Sequence, residues 1–408
     1  MSSYFRFMSQ EWPLLSFGFI TVFIGNIGQS FFLSWYGADI QQSLNISAED
    51  YGFIYAIATL CSSAVIFMVG GLVDRWALHK VVIVVSFLLC VSCLLMANIQ
   101  TVWMLFFAFW GLRLAGQGLF PHTAQTTMLR VYTHQRGKAL SLSASGVAFG
   151  EMVLPIILMT TIALLGWRWS WLMLALIVMI IYLPMALTLL KKSNTSDKKK
   201  PLEPKSTKTQ EQGRRDVVKD WRFWSIIPAV LSAPFIVTAV FIQQNYLLEQ
   251  KGWPASLLAS SFVAYGFLHW ASSMVSGSLI DRFQAKSLLP FLPLPLIAGL
   301  LVLTLLDNYW AAPLFMSLFG LGIGSSSPVI SALWVEIYGT QHIGAIRSMV
   351  TSMMIFSTAA APWIFGIFIE KGWTASTLFG LFSGLTMIGL LLLIPAYQSF
   401  KDKQCHSD

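Results

Sequence analysis

Three ionisable side chains stand inside long apolar runs that would ordinarily exclude them: Arg113, Glu151 and His269. A guanidinium stays charged at any biological pH and grips a carboxylate through two parallel hydrogen bonds. A glutamate can hold a proton or an ion pair, and an imidazole titrates near neutral pH. Together these types suit the binding of an anion and the movement of a proton. They also suit a static Arg113–Glu151 pair, and a packing role for His269 beside Trp270. Neutral polar residues join them as candidate substrate contacts: Asn26, Gln29 and, one turn beyond Arg113, Gln117. Gln243 and Gln244 stand near the end of a later run. Phe32, Trp35, Tyr36, Tyr265 and Trp270 could line an apolar cavity or pack against neighbouring helices.

The elements that position these residues follow from composition. Of 408 residues, 56% are hydrophobic and 11% charged, against about a quarter charged in soluble domains. A soluble chain of this kind would expose large apolar patches. Twelve runs, each long enough to cross a bilayer at roughly 20 residues, nearly fill the chain. They cover 12–36, 51–73, 81–97, 102–127, 138–163, 169–190, 223–246, 257–280, 288–306, 311–334, 345–369 and 374–397. Without water to bond the backbone, each must be a helix or a closed barrel strand, and runs without strict alternation exclude the barrel. At about 1.5 Å per residue, Arg113, Glu151 and His269 lie roughly 16–20 Å from the nearer end of their spans. A charge at that depth costs at least ~2.5 kcal/mol even on lenient scales, so such residues persist when paired or functional.

Of the 26 Lys and Arg, 22 fall on one side of this topology, three on the other, and Arg113 inside a span. Positive charge marks the cytoplasmic face, which places both termini there. The net charge of +8 is thus loop chemistry and not a nucleic-acid footprint. The one long polar stretch, 191–222, carries Lys198-Lys199-Lys200 and Arg214-Arg215 and reads as a solvated linker in reach of anionic lipid. It separates a six-helix unit, 1–190, from a second, 223–408. Cys90 and Cys93 read as packing thiols, so no metal is expected. No P-loop, His-Glu-x-x-His or Gly-x-Ser-x-Gly string occurs, which argues against ATP-driven or enzymatic chemistry and calls for no cofactor.

The chain repeats itself. Gly70-Gly71-Leu72-Val73-Asp74-Arg75 returns 207 residues later as Gly277-Ser278-Leu279-Ile280-Asp281-Arg282. The same offset carries Pro121 onto Pro328, Gly137 onto Gly344 and Pro155 onto Pro362. Two copies of one apolar unit point to a transporter whose site lies between its halves. The repeat also sorts residues. Shared features belong to the scaffold: Asp-Arg pairs at helix ends, prolines at kinks. Unshared polar features are candidates for cargo and coupling, and under the offset Arg113 faces Gly320, Glu151 faces Thr358, and His269 faces Ser62.

At these residues the sequence resembles the major facilitator superfamily over essentially its whole length. The Gly-x-x-x-Asp-Arg strings stand after spans 2 and 8, where that family carries them. Arg113-Leu114-Ala115-Gly116-Gln117-Gly118 is similar to its Arg-x-x-x-Gln-Gly element. Gly146-Val147-Ala148-Phe149-Gly150-Glu151 is similar to the Gly-x-x-x-Gly-Pro element of drug/proton antiporters, with Glu151 where the proline would stand. The overall look is nearest to bacterial monocarboxylate and oxalate/formate members, through Gly28-Gln29-Ser30-Phe31-Phe32 and the segment Glu336 to Arg347. The resemblance implies an all-α integral membrane fold of two pseudo-symmetric six-helix bundles, working mainly as a monomer. It implies that Gly70, Asp74 and Arg75, and Gly277, Asp281 and Arg282, latch the halves on the cytoplasmic side, with Glu336 and Arg347 joining the second latch.

The expected function is a secondary transporter of a small organic anion at the bacterial inner membrane, proton-coupled through Glu151 and His269. Arg113, Asn26, Gln29, Gln117, Tyr265 and Trp270 are the expected cargo residues. The alternatives are a carrier of a larger amphipathic compound, such as a drug or siderophore, and a non-transporting membrane receptor.

Overall fold

The structure, a computed structural model, describes residues 9–69, 76–132, 136–193, 217–339 and 343–405. Gly70, Asp74 and Arg75, and most of the 191–222 linker, lie outside the described residues. No strand occurs among those described. The chain divides into two compact units, Met1–Glu203 and Pro204–Asp408.

The first span of the first unit is α1 (Trp12–Gly25), a 3-10 turn Asn26–Gly28, α2 (Ser30–Leu33) and α3 (Gly37–Leu44). It bends by 51° at Gln29, whose backbone is extended. There follow α4 (Ala48–Val69), α5 (Leu78–Ala97) and α6 (Val102–Leu112). Helix α6 continues through a π-helical stretch, Arg113–Leu119, into α7 (Phe120–Val131). Then come α8 (Arg136–Leu165), α9 (Trp167–Leu176), a second π stretch, Ile177–Tyr182, and α10 (Leu183–Lys192). The second unit holds α11 (Trp221–Ile242), α12 (Gln244–Lys251), α13 (Ala255–Phe283), α14 (Ala285–Leu288), α15 (Pro293–Leu305), α16 (Ala311–Tyr338), α17 (Ile343–Glu370) and α18 (Ala375–Cys405).

The helices are consistent with the twelve expected spans so far as the described residues go; the end of the span 51–73 lies outside them. Among the described residues, nine helices are long and apolar enough to cross a membrane, and the bent first span makes ten. Their ends carry local stop and start chemistry. Thr101 accepts a hydrogen bond from the Met104 amide to cap α6, and Asn45 closes α3 in the left-handed region.

Small residues set the helix contacts inside each unit. A Cβ on Gly146 of α8 would come 2.5 Å from the Phe19 carbonyl oxygen of α1. Helices α13 and α16 pack extensively, because Gly320 and Gly324 lie against the backbone of Tyr265 and His269. The shared prolines do not act alike. Pro328 lies within a continuous helix, whereas Pro121 follows directly on a π stretch, so proline alone does not account for the irregularity at Arg113.

Candidate functional site

Arg113 opens the π stretch and is 1% exposed. Its Nη1 donates to the Gly28 carbonyl at 3.1 Å, and its Cζ lies 5.0 Å from the centre of the Tyr55 ring. The guanidinium is therefore held by a carbonyl and a ring, while its Nε has no hydrogen-bond partner among the described residues. The expected alternative, a static pair with Glu151, is not the arrangement found.

Glycine makes this geometry possible. A Cβ on Gly28 would sit 2.1 Å from the Leu112 carbonyl oxygen, and one on Gly116 would sit 2.6 Å from the Gly28 nitrogen. The 3-10 turn and the π stretch thus touch backbone to backbone, which puts the Gly28 carbonyl within reach of Arg113. On its other side the same turn meets α8. Asn26 Nδ2 donates to the Gly146 carbonyl at 3.0 Å, and a Cβ on Gly150 would strike that amide. Asn26 is thereby buried as a strut between α1 and α8, with its Oδ1 lacking a partner among the described residues. Glu151 follows Gly150 on α8 and is buried. Gln29 and Gln117 are both half-buried, Gln29 at the bend and Gln117 in the π stretch with its amide against Gly28.

The candidates on α13 are less concentrated. Tyr265 is buried among Phe241 and Phe262, with its ring 6.0 Å from that of His269. His269 is half-buried, and Trp270 faces outward at 41% exposure. Of the aromatics expected near a cavity, Phe32 and Tyr36 instead pack with Trp171, Tyr36 at 4.5 Å between ring centres.

Sequence reasoning passed over three features. The first is the Tyr51–Tyr55–Thr59 face of α4, readable only as an i, i+4, i+8 spacing. The second is an open cavity of about 630 Å³ in the second unit. Its walls come from α11, α17 and α18, among them Phe235, Phe356, Ala360, Phe382 and Leu385, with Ser232, Ser357 and Thr386 as sparse hydroxyls. The third is Asp220, which caps α11 and holds Arg222 through both carboxylate oxygens at 2.8–3.1 Å. It also accepts from Tyr338 Oη at 3.1 Å. Tyr338 and Asp220 lie 118 residues apart, too far in sequence to have signalled one another.

The Major Facilitator Superfamily model matches residues 18–259 and 235–404, nearly the whole chain. The chain belongs to the Major Facilitator Superfamily. No curated protein matches it closely enough to count. Among solved structures it is similar to a bacterial homolog of the human lysosomal transporter Spinster. The inward-facing, unoccupied form gives a TM-score of 0.65 at 12% identity over 94% of this chain and 95% of that one. The inward-facing, occupied form gives 0.66 at 12% identity over 94% of each. At that identity the likeness concerns the fold.

In this superfamily protein the second Asp-Arg string closes α13. Asp281 and Arg282 are exposed, Arg282 over the Phe283 ring, and a Cβ on Gly277 would meet open space. Arg347 is exposed. Glu336 meets the start of α14. Its two carboxylate oxygens accept from the Ala285 and Lys286 amides at 2.7 and 3.0 Å. They stabilise a turn in which Gln284 adopts a φ of 65°, a conformation costly for a side chain-bearing residue.

Proposed function

We propose that this superfamily transporter carries a small organic anion of the monocarboxylate kind by alternating access across the bacterial inner membrane, with Arg113 as its anion receptor. One observation carries the reading: a guanidinium buried at mid-span depth whose contacts are a carbonyl and a ring. A buried charge without a counter-charge is expensive, and an anionic cargo would supply that charge. Asn26, Gln29 and Gln117 stand on or beside the same turn and would set its shape. Tyr265 and Trp270 would contribute from the second unit. Glu151 would take a proton when cargo binds, with His269 as a relay. The two Asp-Arg strings, Gly70 to Arg75 and Gly277 to Arg282, with Glu336 and Arg347, would latch the closed state.

Uptake of labelled monocarboxylates and dicarboxylates into reconstituted vesicles tests this. Arg113→Gln should abolish saturable anion uptake, and unchanged uptake in that variant removes the proposal. Proton coupling is separable. An imposed pH gradient should drive uptake in wild type and fail to do so in Glu151→Gln; an equal response discards Glu151 as the proton site.

The apolar cavity favours a second reading, a carrier of a larger amphipathic compound. Its volume falls in the range of drug-sized sites, about 300–1,000 Å³. Under that reading Ala360→Phe, which fills the cavity, would stop transport while Arg113→Gln would not.

A further inference from the structure

We propose that the cavity of the second unit holds one acyl chain of a bilayer phospholipid, as a resident and not as cargo. The inference is independent of the anion reading. Helices α17 and α18 each pack against α11, but hardly against one another among the described residues. The space left between them is the cavity, with α11 as its floor. Its lining on α17 runs from Ser352 to Ile364, roughly 18 Å at 1.5 Å per residue. About 630 Å³ spread over that length makes a long slot. On both α11 and α18 the lining begins roughly 10 Å in from the start of the helix, so the slot lies at hydrocarbon depth. Phe356, 62% exposed, and Leu385, 50% exposed, flank its opening. Along α18 the exposed Leu381, Ile388 and Leu392 continue the stripe of Leu385.

The lining chemistry specifies the occupant. None of the lining side chains is ionisable. Ser232 donates to the Ala229 carbonyl at 2.8 Å, Ser357 to that of Leu231 at 3.3 Å, and Thr386 to that of Phe382 at 2.8 Å. Ser352 is engaged as well. A carboxylate therefore finds no donor in Ser232, Ser357 or Thr386, and a water would lack the roughly two to four polar partners that hold it in a cavity. A hydrocarbon chain needs no partner, and it gains the dispersion contacts that an empty slot forfeits.

The first unit shows what otherwise fills such a space. Glu11-Trp12 before and at the start of α1 match Asp220-Trp221 at the start of α11, at an offset of 209. Each acid accepts from a tyrosine hydroxyl at the end of the fourth span of its unit, Tyr132 at 3.2 Å and Tyr338 at 3.1 Å. At that offset Phe19 and Phe23 fall on Pro228 and Ser232, and at 207 Phe149 falls on Phe356. In the first unit the three rings pack at 5.8–6.5 Å between centres. Gly146 and Gly150 let α8 lie directly on α1, whereas their counterparts Met353 and Ser357 put side chains on the cavity wall. The second unit thus lacks two rings and keeps its helices apart, and an acyl chain takes the place of the missing rings.

The probe is a phosphatidylglycerol with a diazirine midway along one chain, photolysed in vesicles that carry the protein and mapped by mass spectrometry. In wild type, adducts should form on Phe235, Ile236 and Phe382, walls that are buried or half-buried, as well as on the outer Leu381, Ile388 and Leu392. Ser232→Phe restores the ring that Phe23 supplies in the first unit, and Ala360→Phe fills the slot from α17. Each should lose the wall adducts, keep the outer ones, and hold or raise the unfolding temperature. Adducts on the outer stripe alone in wild type would overturn the inference, as would wall adducts that persist in both variants. Should neither variant fold, the wild-type map decides. A headgroup-fluorescent phosphatidylglycerol should cross between leaflets at the same rate with and without the protein. A faster rate with it would make the lipid cargo, in line with the second reading, and end its standing as a resident.

Discussion

Arg113 owes its tolerance in an apolar interior to two partial compensations. A hydrogen bond from a charged donor is worth about 1.5–3 kcal/mol, and a desolvated cation–π contact about 2 kcal/mol. Set against an insertion cost of at least ~2.5 kcal/mol, the Gly28 carbonyl and the Tyr55 ring suffice to hold the residue without cargo. Neither neutralises the charge; on the proposed reading an anionic cargo would. Lysine would keep the charge and lose the planar fork. Arg113→Lys should therefore retain uptake with KM raised about tenfold, and Arg113→Gln should lose it; vesicle uptake kinetics separate the two. Tyr55→Leu should lower the unfolding temperature by removing the ring, which Tyr55→Phe would keep. Arg113 and Glu151 were legible as charges in apolar runs without a repeat counterpart. Tyr55 was not, because a tyrosine in a hydrophobic span counts as apolar until its ring is seen beside a charge.

Two irregular elements carry the candidate site: the broken first span and the π stretch. Their repeat counterparts are regular. Residues 233–235 lie within the continuous helix α11, and residues 320–326 within α16. Where the first unit has Arg113 and Gln117, the second has Gly320 and Gly324, and there α13 closes directly on α16. The two copies thus differ, regular in the second unit and irregular in the first, and π segments of this sort accompany functional sites. The sequence did not reveal it, since neither a 3-10 turn nor a π stretch has a distinct hydrophobic period; Gly28 and Gly116 were visible only as glycines. Gly28→Ala forces a Cβ to 2.1 Å from a backbone oxygen. It should cost about 3 kcal/mol, the upper end for overpacking, and abolish uptake. Gly277→Ala is the contrast. Its Cβ meets open space within a helix, so thermal unfolding should show a gain of up to about 1 kcal/mol. If Gly277 serves a latch in another state, uptake will fall even as stability rises.

At the scale of the whole molecule the duplication was legible from its strings, but the ties that make each copy a unit were not. In the second unit the end of α16 holds two neighbours at once. Glu336 accepts from the amides that begin α14, and Tyr338 donates to Asp220 at the start of α11. Three elements are thereby fixed at one end, on the side where Lys and Arg concentrate. Asp220 makes this tie sensitive to pH. Burial pushes its carboxyl up, and the hydrogen bonds from Arg222 and Tyr338 outweigh that, so the group lies below its ordinary value of 3.8. A carboxylate with a depressed folded-state value adds stability above its unfolded value, and that stability is lost as pH falls through the folded one. The wild-type unfolding temperature, followed in detergent from neutral pH downward, should therefore hold until about pH 4 and drop below it. Asp220→Asn cannot accept from Arg222 in the charged form, so it should unfold earlier at neutral pH and lose less between pH 4 and the acid limit. The two curves should converge at low pH. Parallel curves would mean that the acid transition belongs to other carboxylates and that Tyr338 and Asp220 do not bind α16 to α11.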